Sequence, residues 1–257
     1  MKHKQHWLLK VRPAFLASFI KVLLRTKRKL IDTPQGKFFI DPFSNFGSNL
    51  TFQLGYEPEM TKLVTSILKE GDTFLDVGAN EGYFSILSSR LVGNTGKVIS
   101  IEPQTRLQSV LLRNILENQA FNIYVFRYAI SDSKDVATMS LSPDVNTGSS
   151  GLFRVTKYKT KTELVPQITL KDFLGLLNLG NIKLMKIDVE SYEYEAILGS
   201  KEIFQSDIIE NIALELHPSI LKMRNKEASN ILSFLESCGY TKNSSYSNLL
   251  MSKKTNK

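Results

Sequence analysis

The chain has one cysteine, Cys238, and three histidines, two of which, His3 and His6, fall in its first six residues. No internal disulfide and no cysteine-based metal cluster can form, and a reducing, cytoplasmic setting is expected. His217 is the one histidine left to serve a site in the body of the chain. Long apolar runs are also missing. Ala14 to Leu24 is 11 residues long and interrupted by Lys21, too short to span a bilayer. No small-residue cleavage site precedes the Arg25–Lys29 cluster, so no signal peptide is expected. Residues 1–30 contain nine basic residues and no acid, which leaves 24 basic against 25 acidic residues elsewhere. The formal charge of +8 therefore belongs to the N-terminus, the body is neutral, and a nucleic-acid partner is not expected.

The stretch Thr73 to Ser85 organises the rest: Thr-Phe-Leu-Asp-Val-Gly-Ala-Asn-Glu-Gly-Tyr-Phe-Ser. Phe74, Leu75 and Val77 form a short apolar run of strand type, and Phe84, Leu87 and Leu91 continue at helical spacing after two glycines. Gly78 and Gly82 let the backbone turn sharply against a ligand, while the helix start points free N–H groups to the same place. Asp76 ends the strand, where open α/β sheets bind nucleotides. A dinucleotide fingerprint would put glycine at position 80, and Asn80 stands there. A pyrophosphate needs that close approach. S-adenosylmethionine (SAM) has no phosphate and carries a sulfonium and an ammonium, which suit Asp76. These residues favour SAM over NAD and leave a purely structural turn as a third reading.

Residues 7–24 predict a basic amphipathic helix, lying on an anionic membrane surface through Trp7 and its Phe side chains or packed on the body. Lys37–Ile40 and Leu50–Leu54 predict a hairpin, and Pro58 starts a helix closed by Gly71. The strand Lys97 to Ile101 ends at Glu102-Pro103, 26 residues beyond Asp76, close to the interval at which an acid accepts hydrogen bonds from a ribose. A strand from Ile123 to Ile130 ends at Ser131-Asp132. Residues 131–165 are irregular and read equally as a substrate cover or as a disordered excursion. Thr169 can cap a helix, and the strand Ile182 to Glu190 ends in acids. Another strand leads from Ile212 to Glu215, Leu216 and His217. Tyr240–Lys242 and Asn248–Ser252 can pair as a terminal hairpin. Strands alternating with helices predict one doubly wound α/β domain.

Asp188, Glu190, Glu215 and His217 fall at the ends of two successive strands, on the side where the glycine loop opens. Methyl transfer needs the acceptor aligned and its proton removed, so His217, Asp188 and Glu190 are the catalytic candidates. Each has a plainer reading: a cap, a helix-dipole acid, a histidine before proline. The four could also hold a hard cation, but no metal is expected. Lys186, in a buried strand, is read as the charge partner of Asp188.

The ordered set Gly55-Tyr56-Glu57-Pro58, Phe74 to Tyr83, Ile101-Glu-Pro103, Ile168 to Asp172, Lys186-Ile-Asp-Val-Glu190 and Glu215-Leu-His217 resembles the FkbM-type SAM-dependent methyltransferases, from about Gly36 to Ser252. Ser191 departs from the glycine usual after Asp-Val-Glu. The resemblance implies a Rossmann-like, mostly parallel seven-stranded sheet with an antiparallel last strand. It also implies SAM as cofactor, held at Asp76, Gly78, Ala79, Asn80, Gly82, Tyr83, Glu102 and Pro103, with Asp132 and Asp188 as further candidates. The implied reaction is O-methylation of a hydroxyl on a sugar, glycan or glycolipid, in a setting such as polysaccharide biosynthesis. The expected organisation is a basic helical extension at 1–35, a methyltransferase domain at 36–252 and a polar tail at 253–257. The competing readings are an NAD-type oxidoreductase and a non-catalytic, membrane-associated SAM-binding partner.

Overall fold

The computed structural model describes residues 27–52, 55–142, 150–152, 161–177, 179–243 and 250–253. The expected helix at 7–24 lies outside the described residues, as does most of the loop at 143–160. The chain first forms a hairpin of β1 (Lys29–Thr33) and β2 (Gly36–Ile40). A short helix follows, α1 (Asn45–Thr51), whose N-terminus is capped by the Ser44 hydroxyl accepting from the Gly47 amide. This corrects the expected pairing of Lys37–Ile40 with Leu50–Leu54. Phe46 and Leu50, four residues apart, bury one helical face, and β2 finds its partner upstream. The expected boundary at residue 35 thus falls inside the hairpin turn.

Then come α2 (Pro58–Ile67), β3 (Thr73–Val77), α3 (Tyr83–Val92), β4 (Lys97–Ile101), α4 (Thr105–Asn118) and β5 (Ile123–Phe126). The strand expected over 123–130 is broken at Arg127-Tyr128. Its second part, β6 (Ala129–Ser131), leaves for a small sheet with β7 (Val136–Ser140) and β8 (Thr162–Thr169), ordered β6-β8-β7. Thr169 caps α5 (Leu170–Leu176) by accepting from the Asp172 amide, as its position suggested. The remainder is β9 (Leu184–Ile187), α6 (Glu193–Leu198), α7 (Lys201–Gln205), β10 (Asn211–Leu214), α8 (Pro218–Met223), α9 (Ala228–Ser237), β11 (Tyr240–Lys242) and β12 (Leu250–Lys253).

The main sheet has seven strands in the order β11-β12-β10-β9-β3-β4-β5, all parallel except β12, which runs antiparallel to both neighbours. This is the sheet the resemblance implied, reversed last strand included. From β3 the chain winds outward through β4 and β5, then returns to β9 on the other side of β3. Crossovers that leave in opposite directions open a crevice at the carboxyl ends of β3 and β9, the switch point where doubly wound sheets take ligands. Helices cover both faces. Phe74, Val98, Leu184 and Ala213 pack toward α2, α3 and α4, while Leu75, Ile99, Met185 and Ile212 pack toward α5, α6 and α9. Both faces being dry explains why these strands read as continuous apolar runs rather than alternating ones.

Candidate active site

On the α3 side, the polar residues of three neighbouring strands stand in one row. The sheet register pairs Asp76 with Lys186 on β9 and with Ser100 on β4. Ser100 donates to the Ser85 hydroxyl at 2.8 Å, and Ser85 donates to Asp76 Oδ2 at 2.6 Å. Lys186 Nζ lies 3.4 Å from Asp188 Oδ2 and 5.3 Å from the centre of the Phe84 ring. Burial pulls the Lys186 ammonium down, but Asp188, Asp76, Glu57 and Glu215 outweigh it and hold its pKa above the usual lysine value. Asp188 is thus a partner of Lys186, as the sequence suggested, and three further carboxylates share the task.

The loop between β3 and α3 is pressed against the exit of β9. Gly78 has φ +87°, and a Cβ there would sit 1.9 Å from the Asp188 carbonyl oxygen, so only glycine allows this approach. The Gly78 and Ala79 amides both donate to the Ile101 carbonyl. Glu102 bridges the loop to the end of β4: its two oxygens accept from the Asn80 and Gln104 amides, each at 2.9 Å. Burial pushes its carboxyl up to about 7, with these amides pulling the other way.

Gly78, Asn80, Glu102, Pro103, Asp188 and Glu190 line a cleft of about 590 Å³, counting space open to solvent. Gly78, Ala79, Asn80, Tyr83 and Asp188 also border a smaller cleft behind the loop, beside Glu57 and Lys186. The other predicted residues lie elsewhere. Asp76 is fully buried beneath the loop, and Gly82 is covered by Leu111. Asp132 ends β6 near Gly199 and lines neither cleft. The Tyr83 ring belongs to an aromatic cluster with Phe38, Phe46, Tyr56 and Phe84.

Beyond Asp188 the chain turns sharply, with Glu190 at φ +48° and Ser191 at φ +79°. The strand expected to run from Ile182 to Glu190 therefore stops at Ile187, short of its two acids. Two successive left-handed non-glycine residues are strained, and they swing Glu190 toward His217, whose Nε2 lies 3.7 Å from Glu190 Oε2. His217 Nδ1 is 2.8 Å from Glu193 Oε1, which also accepts from the Ser191 amide. Glu193 is fully buried at the start of α6. His217 caps α8, and α8 is tied down by Arg224, which pairs with buried Glu195 of α6 at 2.5 Å. The Glu193 hydrogen bond, together with the charges of Glu193, Glu190 and Asp188, raises His217 to about 9 against the cost of burial. Burial, then Asp188, raises Glu190 to about 8. His217 is therefore an imidazolium at neutral pH, and it must lose that proton before it can act as a base.

Glu57 and Glu193 were not singled out as site residues from the sequence. Glu57 precedes α2 in a left-handed conformation and is raised to about 7 by burial, with Lys186 opposing and Asp188 adding. Its only signal was its place in the Gly-Tyr-Glu-Pro step. Glu193, an acid in a helix start, carried no signal of its own in the sequence.

A doubly wound sheet with a reversed last strand, a glycine loop at its switch point and an acid at the carboxyl end of each of the first two parallel strands is the fold of the class I SAM-dependent methyltransferases. The chain belongs to the FkbM methyltransferase family: the Methyltransferase FkbM domain matches residues 76–242. Among curated proteins, Uncharacterized protein YpiP of Bacillus subtilis (strain 168) is 39% identical over 87 residues, which cover 34% of this chain and 33% of that protein. The match thus spans about a third of the relative's length. Among solved structures, a methyltransferase FkbM from Methylobacillus flagellatus KT is 17% identical, over 89% of this chain and 55% of that one, with a TM-score of 0.44. A SAM-dependent O-methyltransferase from Thermotoga maritima is 12% identical, over 83% and 69%, with a TM-score of 0.41.

The cofactor of this fold and family is SAM, and the residues fit it. Asp76 Oδ1 and Asn80 Oδ1 are buried without a hydrogen-bond partner beside the loop, and the surrounding carboxylates suit a cationic ligand. Gly78, Asn80 and Glu102 would hold it.

Proposed function

We propose that the chain is a SAM-dependent methyltransferase that transfers a methyl group to a hydroxyl of a sugar, glycan or glycolipid-type acceptor. The observation that carries this reading is the meeting of Asp188, Glu190 and His217, of which Asp188 and Glu190 line the cleft together with Gly78 and Glu102. SAM supplies a methyl group on a positively charged sulfur, so the protein's own work lies on the acceptor side. The acceptor O–H must face the cleft and give up its proton while its oxygen forms the new O–C bond and the S–C bond breaks. Glu190, raised to about 8, must like His217 release its proton before it can take the acceptor's. A second groove of about 1370 Å³ opens next to this cluster, lined by Glu215, Glu57, Met60, Leu214, Leu232 and Lys242. Its mixture of apolar wall and acidic rim suits an acceptor that carries hydroxyls on a partly apolar frame.

An oxidoreductase reading is disfavoured by Asn80, whose amide donates to Glu102 rather than standing free for a pyrophosphate. No helix among the described residues is long and apolar enough to cross a membrane. Peripheral membrane contact through residues 1–30 in a cytoplasmic setting is part of this proposal, resting on their nine basic residues. The test is isothermal titration with S-adenosylhomocysteine and, in parallel, NADH, followed by transfer of labelled methyl from SAM to saccharide acceptors. Binding of the homocysteine compound with label on an acceptor oxygen is expected. Binding without turnover on any acceptor would favour a non-catalytic partner, and binding of NADH alone would refute the reading.

A further inference from the structure

We propose that Asp188, Glu190 and His217 form a divalent-cation site on the acceptor side of the cleft. The three offer donor atoms that all lie within 4.8 Å of one another, and His217 Nε2 to Glu190 Oε2 is 3.7 Å. An ion bound at about 2.0–2.6 Å from each ligand places adjacent ligands roughly 3–4 Å apart, so the present spacing closes onto one ion by small side-chain rotations. The histidine is held as metal-bound histidines are. Its Nδ1 faces the buried carboxylate of Glu193 at 2.8 Å, which fixes the ring and points Nε2 to the ion, and Nε2 would release its proton to solvent as the ion binds.

A second, independent feature is the charge imbalance of the whole centre. Lys186 is surrounded by Asp76, Asp188, Glu57 and Glu215, and His217 by Glu193, Glu190 and Asp188. Six carboxylates thus meet two basic side chains in a largely buried setting, and one Glu193 oxygen there has no hydrogen-bond partner. SAM brings a single net positive charge. A dication would offset part of the carboxylate excess that remains.

Two carboxylates and one imidazole select a hard to borderline ion of the manganese or magnesium type. Three protein ligands leave open positions, which an acceptor hydroxyl, or two neighbouring hydroxyls of a sugar, can fill. The ion then draws electron density from the acceptor oxygen, and the O–H proton passes to an adjacent carboxylate such as Glu215 before the oxygen takes the methyl group. The role in catalysis rests on the methyltransferase reading, whereas the ion site itself does not.

The test is Mn²⁺ titration of the purified protein, followed by electron paramagnetic resonance and calorimetry, with Glu190→Gln and His217→Gln as variants and thermal melting as the check that they fold. One equivalent bound, weakened at least tenfold in each folded variant, is the expected result. No binding at 1 mM Mn²⁺, roughly the weak limit for protein cation sites, would overturn the proposal. So would an affinity unchanged in both variants. Should a variant not fold, displacement of bound Mn²⁺ water by a 1,2-diol, read by proton relaxation of the wild type, decides the question in the same way. S-adenosylhomocysteine binding is measured alongside. Its failure with Mn²⁺ binding intact would sink the methyltransferase reading and leave the ion site standing.

Discussion

Glu102 offers the sharpest check on the cofactor side, because its carboxylate has two duties that one substitution separates. Each of its oxygens already accepts one backbone amide, from Asn80 and from Gln104, and each keeps a lone pair for a ribose hydroxyl. Burial raises its pKa to about 7, above the usual carboxylate value, so the free protein holds a proton there at pH 6 and has lost it by pH 8. Ribose hydroxyls prefer the ionised form, and binding must therefore expel that proton on the acid side. The ionised fraction rises from about a tenth to about nine tenths between pH 6 and pH 8, so the Kd for S-adenosylhomocysteine should fall about tenfold over that interval. Glu102→Gln puts an amide NH2 where one backbone N–H now finds an oxygen. The lost acceptor costs about 1–3 kcal/mol of stability, a fall in Tm of roughly 2–12 °C at this chain length. The same variant should bind the ligand roughly 5- to 150-fold more weakly, with no pH dependence left. Calorimetry at pH 6, 7 and 8 on both proteins decides it. A wild-type Kd that is flat across this range, or wild-type affinity in the variant, would refute the placement of Glu102 at the ribose.

Gly78→Ala should lose at least tenfold in S-adenosylhomocysteine affinity and about 1–3 kcal/mol in urea denaturation, because its Cβ would meet the Asp188 carbonyl oxygen at 1.9 Å in a left-handed backbone. Unchanged affinity would show that the loop is free to move. Lys186→Met removes the ammonium that opposes the burial-raised Asp76 and Glu57 carboxyls, so their folded pKa values rise further above the unfolded ones. Groups so shifted are well tolerated while protonated and cost stability as pH climbs from the unfolded value to the folded one, above which the cost is constant. The variant's deficit should thus be small near pH 5 and grow to about 3 kcal/mol by pH 8, read from denaturation midpoints at the two pH values. Arg28 clamps Glu81 of the glycine loop with bonds of 2.7 and 3.1 Å, and Glu81 is only 2% exposed. Arg28→Ala should lower Tm by several degrees, since it removes a two-bond partner of a buried carboxylate; an unchanged melting curve would mean that the hairpin does not brace the loop.

How much of this could be read from the sequence depended on how local each cause is. The β3, loop and α3 unit was legible because its apolar run, glycines and helical spacing lie within thirteen residues. The pairing of Lys186 with Asp188 was legible because the two sit on one strand exit, two residues apart. The hairpin of β1 with β2 was not, since Lys29-Leu-Ile-Asp-Thr is a weak strand pattern at the end of a basic run, and it is its register with Gly36–Ile40 that makes it a strand. Helix α1 hid behind turn formers, and its Ser44 cap carried more weight than the residues around it. Glu193 went unread because nothing near it in the chain shows that His217, 24 residues on, returns to its carboxylate.

The largest gap, the row formed by Asp76, Lys186 and Ser100, has a single topological origin. Asp76 meets Lys186 across 110 residues only because the chain, after β5, comes back to lie on the far side of β3. That return also opens the crevice into which Gly78 and Asp188 project their backbones. A strand order that kept β9 beside β5 would bury the same apolar residues as well, yet it would leave Lys186 without Asp76 and the glycine loop without a facing strand end. The buried charge row and the cleft therefore stand or fall together, which is why Lys186→Met should disturb ligand affinity as well as stability.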